Sequence, residues 1–171
     1  FKLYSNTIVE SIQPDLKTIT AGGVQFKYDK CVLALGANPI SSAWDEYAYK
    51  INNLSDYRNF REFLTLGKKI AIVGAGLVGC ELAADLVLAG YEVHLYSNEP
   101  EPINRLMPAE CGKYLRTKLI QAGVNWHYVK DFSVAKVQNK LLINGEIEVD
   151  LLISALGIRP NTELATAIGI E

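Results

Sequence analysis

The residues of this chain best suited to chemistry are three glycines at fixed spacing. Gly74, Gly76 and Gly79 form a Gly-x-Gly-x-x-Gly pattern within Gly74-Ala75-Gly76-Leu77-Val78-Gly79-Cys80-Glu81. The first glycine allows a tight turn, the second lets the backbone approach a pyrophosphate with no Cβ in the way, and the third lets a helix pack closely on its strand. The pyrophosphate would sit on the unpaired N–H groups and positive dipole end of that helix. Ala75, Leu77 and Val78 complete the loop. The spacing therefore points to dinucleotide binding, provided a strand precedes it and a helix follows.

Groups further along select the dinucleotide. The acid that usually binds the ribose falls roughly 20 residues past the glycines, and here that end reads Leu95-Tyr96-Ser97-Asn98-Glu99-Pro100-Glu101. Ser97 occupies the expected position, so the standard ribose contact is missing and Glu99 is placed to replace it. Glu99 and Glu101 would both repel a 2′-phosphate, and Arg105 is the one nearby group that would attract it, so NADH is favoured over NADPH.

The elements around the glycines meet the context requirement. Ile70 to Val73 is a short apolar run, Leu77 to Ala89 has a helical pattern stopped by Gly90, and Glu92 to Tyr96 reads as a second strand. Pro100, Pro102 and Pro108 punctuate a loop before a helix from about Ala109 to Gln121 closed by Gly123. Val124 to Val129 reads as a strand. Phe132 to Gln138, Lys140 to Asn144 and Glu146 to Val149 form an antiparallel excursion with an Asn144-Gly145 hairpin turn. Leu151 to Leu156 is a buried apolar strand ending at Gly157. This order predicts an α/β fold: a Rossmann-like domain with a central parallel sheet and a β-meander.

Upstream, Leu3 to Ile12, Lys17 to Thr20 and Val24 to Tyr28 predict a small antiparallel meander, too small to be stable alone. It feeds a buried apolar strand, Cys31 to Leu35. Ile40 to Leu54 reads as a connection over the surface, with Trp44 and Tyr47 left as surface or interface residues. Ser55 is the predicted N-cap of a helix from Asp56 to about Leu66, with Tyr57, Phe60, Phe63 and Leu64 on one side and Gly67 as its stop. The domain boundaries that follow are 1–39, 40–67, 68–157 and 158–171.

Composition excludes several classes. The 171 residues are 49% hydrophobic, and 17 basic and 19 acidic residues give a formal charge of -2 with no basic face. Neither nucleic acid nor a membrane surface is an expected partner. No apolar stretch approaches the roughly 20 residues of a membrane span, and Phe1 to Glu10 lacks the order of a signal peptide. Cys31, Cys80 and Cys111 are odd in number and widely separated, which argues against a disulfide framework or zinc site and for a reducing cytoplasm. Cys31 and Cys80 read as buried small hydrophobes, with a lowered thiol pKa at Cys80 as the lesser alternative.

Two strands end alike, in Val32-Leu33-Ala34-Leu35-Gly36-Ala37 and Ile153-Ser154-Ala155-Leu156-Gly157-Ile158. With the glycine motif between them, the chain resembles the middle of the FAD-dependent pyridine-nucleotide reductases. Ile51-Asn52-Asn53-Leu54-Ser55-Asp56-Tyr57 and Ser154 to Leu164 make it most similar to the rubredoxin-NAD reductases within that superfamily. The resemblance implies a nicotinamide domain flanked by partial flavin-domain strands and cut at both ends, lacking the family's own flavin fingerprint and its Gly-Asp flavin motif. Such a piece is not expected to hold FAD or to turn over by itself. The resemblance further implies electron flow from NADH through FAD to rubredoxin or a similar small iron carrier, with Ala155, Leu156 and Gly157 beside the NAD(H) and Glu81 near the nicotinamide.

Some alternatives stay open. Glu81 reads equally well as an exposed first-turn glutamate favoured by the helix dipole. Arg159 either contacts cofactor or ties the return segment to the sheet. The acceptor is rubredoxin, or ferredoxin or a disulfide in a related reductase. A conventional dehydrogenase is disfavoured because the chain offers no Ser/Tyr/Lys or His/Asp set; His94 and His127 lie in strand patterns that suit core or rim. A non-catalytic nucleotide-sensing module remains the rival of a different class.

Overall fold

The computed structural model describes residues 2–65 and 68–170. Leu66 and Gly67, the predicted end and stop of the connecting helix, lie outside the described residues, as do Phe1 and Glu171. The backbone divides into two compact units, one of residues 1–38 with 159–171 and one of residues 39–158.

The first unit contains the predicted meander, β1 (Val9–Gln13), β2 (Thr18–Ala21) and β3 (Val24–Lys27), paired antiparallel. Its first strand starts at Val9 rather than Leu3, and only Ile12 and Thr18 of its strand residues are buried. Cys31–Leu35 departs from expectation. It is irregular rather than a buried strand, with Cys31 exposed and Val32 88% exposed. A strand exists only where a neighbour takes its backbone hydrogen bonds, and no strand of the described residues pairs with this stretch. Pairing resumes at β4 (Ala37–Pro39), whose partner is a strand at Ile158–Pro160. Asn161 fastens this return segment: its backbone N–H donates to the Gly36 carbonyl at 3.0 Å and its Nδ2 to the Leu35 carbonyl at 2.9 Å.

In the second unit, a single 3-10 turn at Asp45–Tyr47 leads into the short strand β5 (Ala48–Tyr49), then α1 (Leu54–Phe63), β6 (Lys69–Val73), α2 (Leu77–Leu88) and β7 (Glu92–Ser97). There follow α3 (Ala109–Ala122), β8 (Asn125–Tyr128), the meander β9 (Val134–Val137), β10 (Lys140–Ile143) and β11 (Ile147–Val149), and β12 (Leu151–Ser154). The chain continues into β13 (Ile158–Pro160) and α4 (Glu163–Ala167). Five parallel strands form one sheet in the order β5-β12-β6-β7-β8. The predicted surface connection thus contributes an edge strand, because Ala48 and Tyr49 find a ladder partner in β12.

Period-two alternation sorts the side chains between two cores. Ile70, Ile72, Val93, Leu95, Leu151 and Ile153 pack with Ala83, Leu86 and Leu119 of the helices, whereas Ala71, Val73 and Leu152 pack with Leu141, Ile143 and Val149 of the meander. Both faces of the central strands are covered, which is why their sequences read as unbroken apolar runs. Each fully buried aliphatic side chain contributes roughly 1.5–3 kcal/mol, more than any surface ion pair, so this layering sets the fold.

Local signals fix the ends. Helix α1 starts at Leu54, two residues before its predicted start, because Asn53 and Asp56 form a reciprocal capping box that leaves Ser55 inside the first turn. Phe60 is buried and Leu64 half-buried as expected, but Tyr57 and Phe63 are largely exposed. Gly123 ends α3 in the left-handed conformation, and Asn144 and Gly145 both take positive φ in the hairpin turn. Trp44 and Tyr47 pack against the meander-side core rather than lying on the surface, with Trp44 edge-on to Phe132 at 4.9 Å.

Candidate functional site

Strand β6 runs into the glycine loop at the carboxyl end of the parallel sheet, and the loop has two kinds of glycine. Gly74 has φ 106, and a Cβ there would stand 2.4 Å from the Ala155 carbonyl oxygen; a Cβ on Gly79 would stand 1.9 Å from that of Gly74. Those two positions hold backbone against backbone. Gly76 differs, with φ -75 and nothing within 4 Å of the space a Cβ would take. The space it leaves belongs to a cavity.

That cavity, about 480 Å³, is walled by residues 74–78, by 97–99 and 101 with 103–106, and by 154–158. The first-turn N–H groups of α2 open at its base, and no side chain caps them. Of the sequence-predicted residues, Gly74, Ala75, Gly76, Leu77, Val78, Ser97, Glu99, Arg105, Ala155, Leu156 and Gly157 all line it. Gly79 lies behind it as the packing contact, Glu81 is exposed on α2 outside the lining, and Arg159 sits on the exposed strand β13. Sequence reasoning missed Pro39 at the end of β4, Ile51 and Asn52, which reach the cavity from the presumed surface connection, and Asn98 and Asn104. No local motif marks them, since they come together only through packing.

The far wall is held firmly. Ile103 N–H donates to the Ala75 carbonyl at 2.9 Å while Ile103 adopts φ 50, a conformation costly for a β-branched residue. Gly112 lets α3 press on this wall: a Cβ there would lie 2.8 Å from the Pro102 carbonyl oxygen. Glu101 is engaged by Arg116 through two bonds of 2.9 and 3.1 Å, so its charge is offset and it does not act as the second repelling carboxylate. Glu99 remains, positioned by its backbone N–H, which donates to Ser97 Oγ at 3.1 Å. Cys80 is buried, and burial pushes its thiol up to about 11, so the helix terminus does not activate it.

A second cavity of about 180 Å³ shares Gly74, Ser97, Asn98 and Leu156 with the first, and adds Trp44, Tyr96, Lys130 and Phe132. Trp44 Nε1 and the Tyr96 hydroxyl, two polar groups of this lining, are buried without a protein partner. Tyr96 is 2% exposed, and burial, with Glu146 adding to it, pushes its phenol up to about 12, so it stays a neutral donor and acceptor. Unpaired buried polar groups cost about 1–3 kcal/mol each. Behind Tyr96 the two histidines lie where core or rim placement was expected. His127 stacks on Tyr96 at 4.5 Å, and His94 Nδ1 meets His127 Nε2 at 2.9 Å.

The donor-rich glycine loop suits a dinucleotide: pyrophosphate on the α2 terminus and ribose by Ser97–Glu99. Among the described residues no group of His, Cys, Asp or Glu is arranged to hold a metal ion, and no helix is long and apolar enough to cross a membrane.

Comparison with known proteins gives concordant results. A family model described as pyridine nucleotide-disulphide oxidoreductase matches residues 1–171. A rubredoxin-NAD(+) reductase from Acinetobacter baylyi is 36% identical, covering 99% of this chain and 48% of that protein. A nitric oxide reductase FlRd-NAD(+) reductase from Salmonella arizonae is 34% identical over 99% of the chain and 47% of its own length. The chain therefore spans about half the length of the curated relatives it matches. Among solved structures, a ferredoxin reductase of the CYP199A2 system from Rhodopseudomonas palustris superposes with a TM-score of 0.82 at 23% identity, covering 95% of this chain and 43% of that one.

Proposed function

The chain belongs to the pyridine nucleotide-disulphide oxidoreductase family, and from that premise we propose that it is the NADH-binding portion of a flavoprotein passing electrons from NADH through FAD to a small iron carrier such as rubredoxin. The observation that carries the reading is the contrast among the three glycines. Gly74 and Gly79 are closed to a Cβ by backbone, while Gly76 is open to a ligand. In this reading residues 68–157 hold the nucleotide, and residues 1–39 and 158–171 border the flavin domain; the division of the backbone at 38/39 and 158/159 supports it. Three free cysteines, Cys31 and Cys111 exposed and Cys80 buried, fit a reducing cytoplasm.

Bound NADH supplies a hydride; this chain binds and orients it. The N–H groups of the loop and of the first turn of α2 hold the pyrophosphate. Glu99 accepts from a ribose hydroxyl and repels a 2′-phosphate, which favours NADH over NADPH. Leu156 and Gly157 form the opposite wall and keep the dinucleotide across the carboxyl ends of the strands.

The test uses the complete protein, with NADH oxidation measured with oxidised rubredoxin, with ferredoxin and with a disulfide substrate. Rubredoxin-dependent turnover well above the others is expected. Equal rates with all three would refute the rubredoxin assignment, and failure to oxidise or bind NADH would refute the nucleotide site.

A further inference from the structure

The two histidines beside the second cavity are the only histidines of the chain, and their contacts continue in one line. Lys69 Nζ lies 2.8 Å from Glu92 Oε1, the same oxygen lies 3.0 Å from His94 Nε2, and His94 Nδ1 lies 2.9 Å from His127 Nε2. His127 then stacks on Tyr96, ring planes 15° apart. This row crosses the meander-facing side of β6, β7 and β8 and ends at a ring that lines the second cavity. Two residues beyond His127, Val129 N–H donates to the Ser97 carbonyl at 2.8 Å, joining the pair to the ribose-side lip.

The line dictates how the pair takes up protons. In the neutral state His94 Nε2–H donates to Glu92, His94 Nδ1 accepts from His127 Nε2–H, and His127 Nδ1 holds the remaining lone pair. One proton added there breaks no bond and leaves the positive charge on His127, stacked against Tyr96. A second proton would set two N–H groups against each other. The pair therefore titrates as one unit carrying zero or one positive charge. The other charged or titratable groups around it are Lys69 on β6, Glu92 and Tyr96 on β7, and Glu146 after β10, with Lys130 following β8.

Resting on the dinucleotide reading above, we propose that the His94–His127 pair is a proton-operated control on that site, its single positive charge strengthening retention of the anionic dinucleotide as pH falls. The pyrophosphate is fully ionised throughout, and the charge appears under the Tyr96 ring, where an aromatic face tolerates a cation. Burial holds the His127 pKa below its ordinary value, with His94 reinforcing the shift and Glu146 opposing it. By linkage, a ligand that binds the charged form more tightly raises the pair's pKa, and its affinity grows as pH falls through that window.

The experiment measures the dissociation constant of ADP-ribose for the complete protein by calorimetry at pH 8.0, 7.0, 6.0 and 5.5, in two buffers of different ionisation enthalpy. Binding about two- to five-fold tighter at pH 5.5 than at 8.0 is expected, with uptake of up to about one proton. His127→Phe keeps the stack on Tyr96 and removes the proton, so its affinity should stay at the high-pH value throughout. His127→Gln, which likewise removes the proton-accepting ring, supplies the same comparison if the first variant melts. Wild-type binding that does not change with pH overturns the control while leaving the nucleotide site standing, and so does a pH response the variants retain. No ADP-ribose binding at any pH overturns the nucleotide reading itself.

Discussion

Replacing Gly76 by alanine separates folding from binding. Its φ of -75 is open to any residue, and the added Cβ meets no protein atom within 4 Å. Alanine also restricts the unfolded chain, which stabilises the native state by about 0.4–1 kcal/mol at a compatible site. Folding should therefore be unchanged or slightly improved. Binding should suffer, because the methyl group occupies the approach of the pyrophosphate and removes at least one charge-assisted bond of about 1.5–3 kcal/mol, a loss of roughly 10- to 150-fold in affinity. Gly74→Ala is the contrasting control: its positive φ costs about 1–3 kcal/mol and its clash with the Ala155 carbonyl about as much again, so it should lose stability first. Urea unfolding followed by fluorescence titration with NADH reads both quantities. A folded Gly76→Ala protein that binds NADH like the wild type would refute the placement of the pyrophosphate on this loop.

Three further outcomes follow from side chains described above. Tyr96→Phe removes a buried hydroxyl that has no protein partner, so thermal melting should show equal or higher stability. Glu99→Gln removes the remaining carboxylate facing a 2′-phosphate and should shift the ratio of NADPH to NADH affinity toward NADPH by about 10-fold, measured by paired titrations. Asp45 is held down to about 2 by its bond to the Lys50 ammonium, with Ser42 adding to it. A depressed carboxyl contributes stability above its unfolded pKa of 3.8 and loses it as pH falls toward about 2. Asp45→Asn should flatten the melting temperature across that interval, and an unchanged acid slope would show that the contact is inert.

The glycine loop was legible because its local signals and its tertiary surroundings demand the same residues. An apolar strand, a turn without Cβ atoms and a helix each leave a mark within fifteen positions, and the Asn144-Gly145 turn is equally self-contained. What stayed hidden depends on partners distant in sequence. Cys31–Leu35 has the composition of a strand, but no composition supplies the neighbouring ladder. Ala48 and Tyr49 look unremarkable until β12, a hundred residues later, pairs with them. The same holds within the site: Glu101 counted as a free charge because Arg116, fifteen residues on, carries no motif that announces the pairing. Pro39, Ile51 and Asn52 became site residues only through packing. Ser97 stands where the ribose acid is expected, yet its use as an acceptor for the Glu99 N–H is a turn geometry that residue identity does not reveal.

Ile103 carries a consequence for time rather than affinity. Its N–H fastens the far wall to Ala75 while its backbone remains in a conformation worth about 1–3 kcal/mol of strain. A wall tethered in this way is already in place before any ligand arrives, so encounter need not wait for a loop to order itself. Association would then run at the pace of diffusion and docking, and the lifetime of the complex, set by how fast the anion leaves the helix terminus, becomes the quantity in which variants of this site differ.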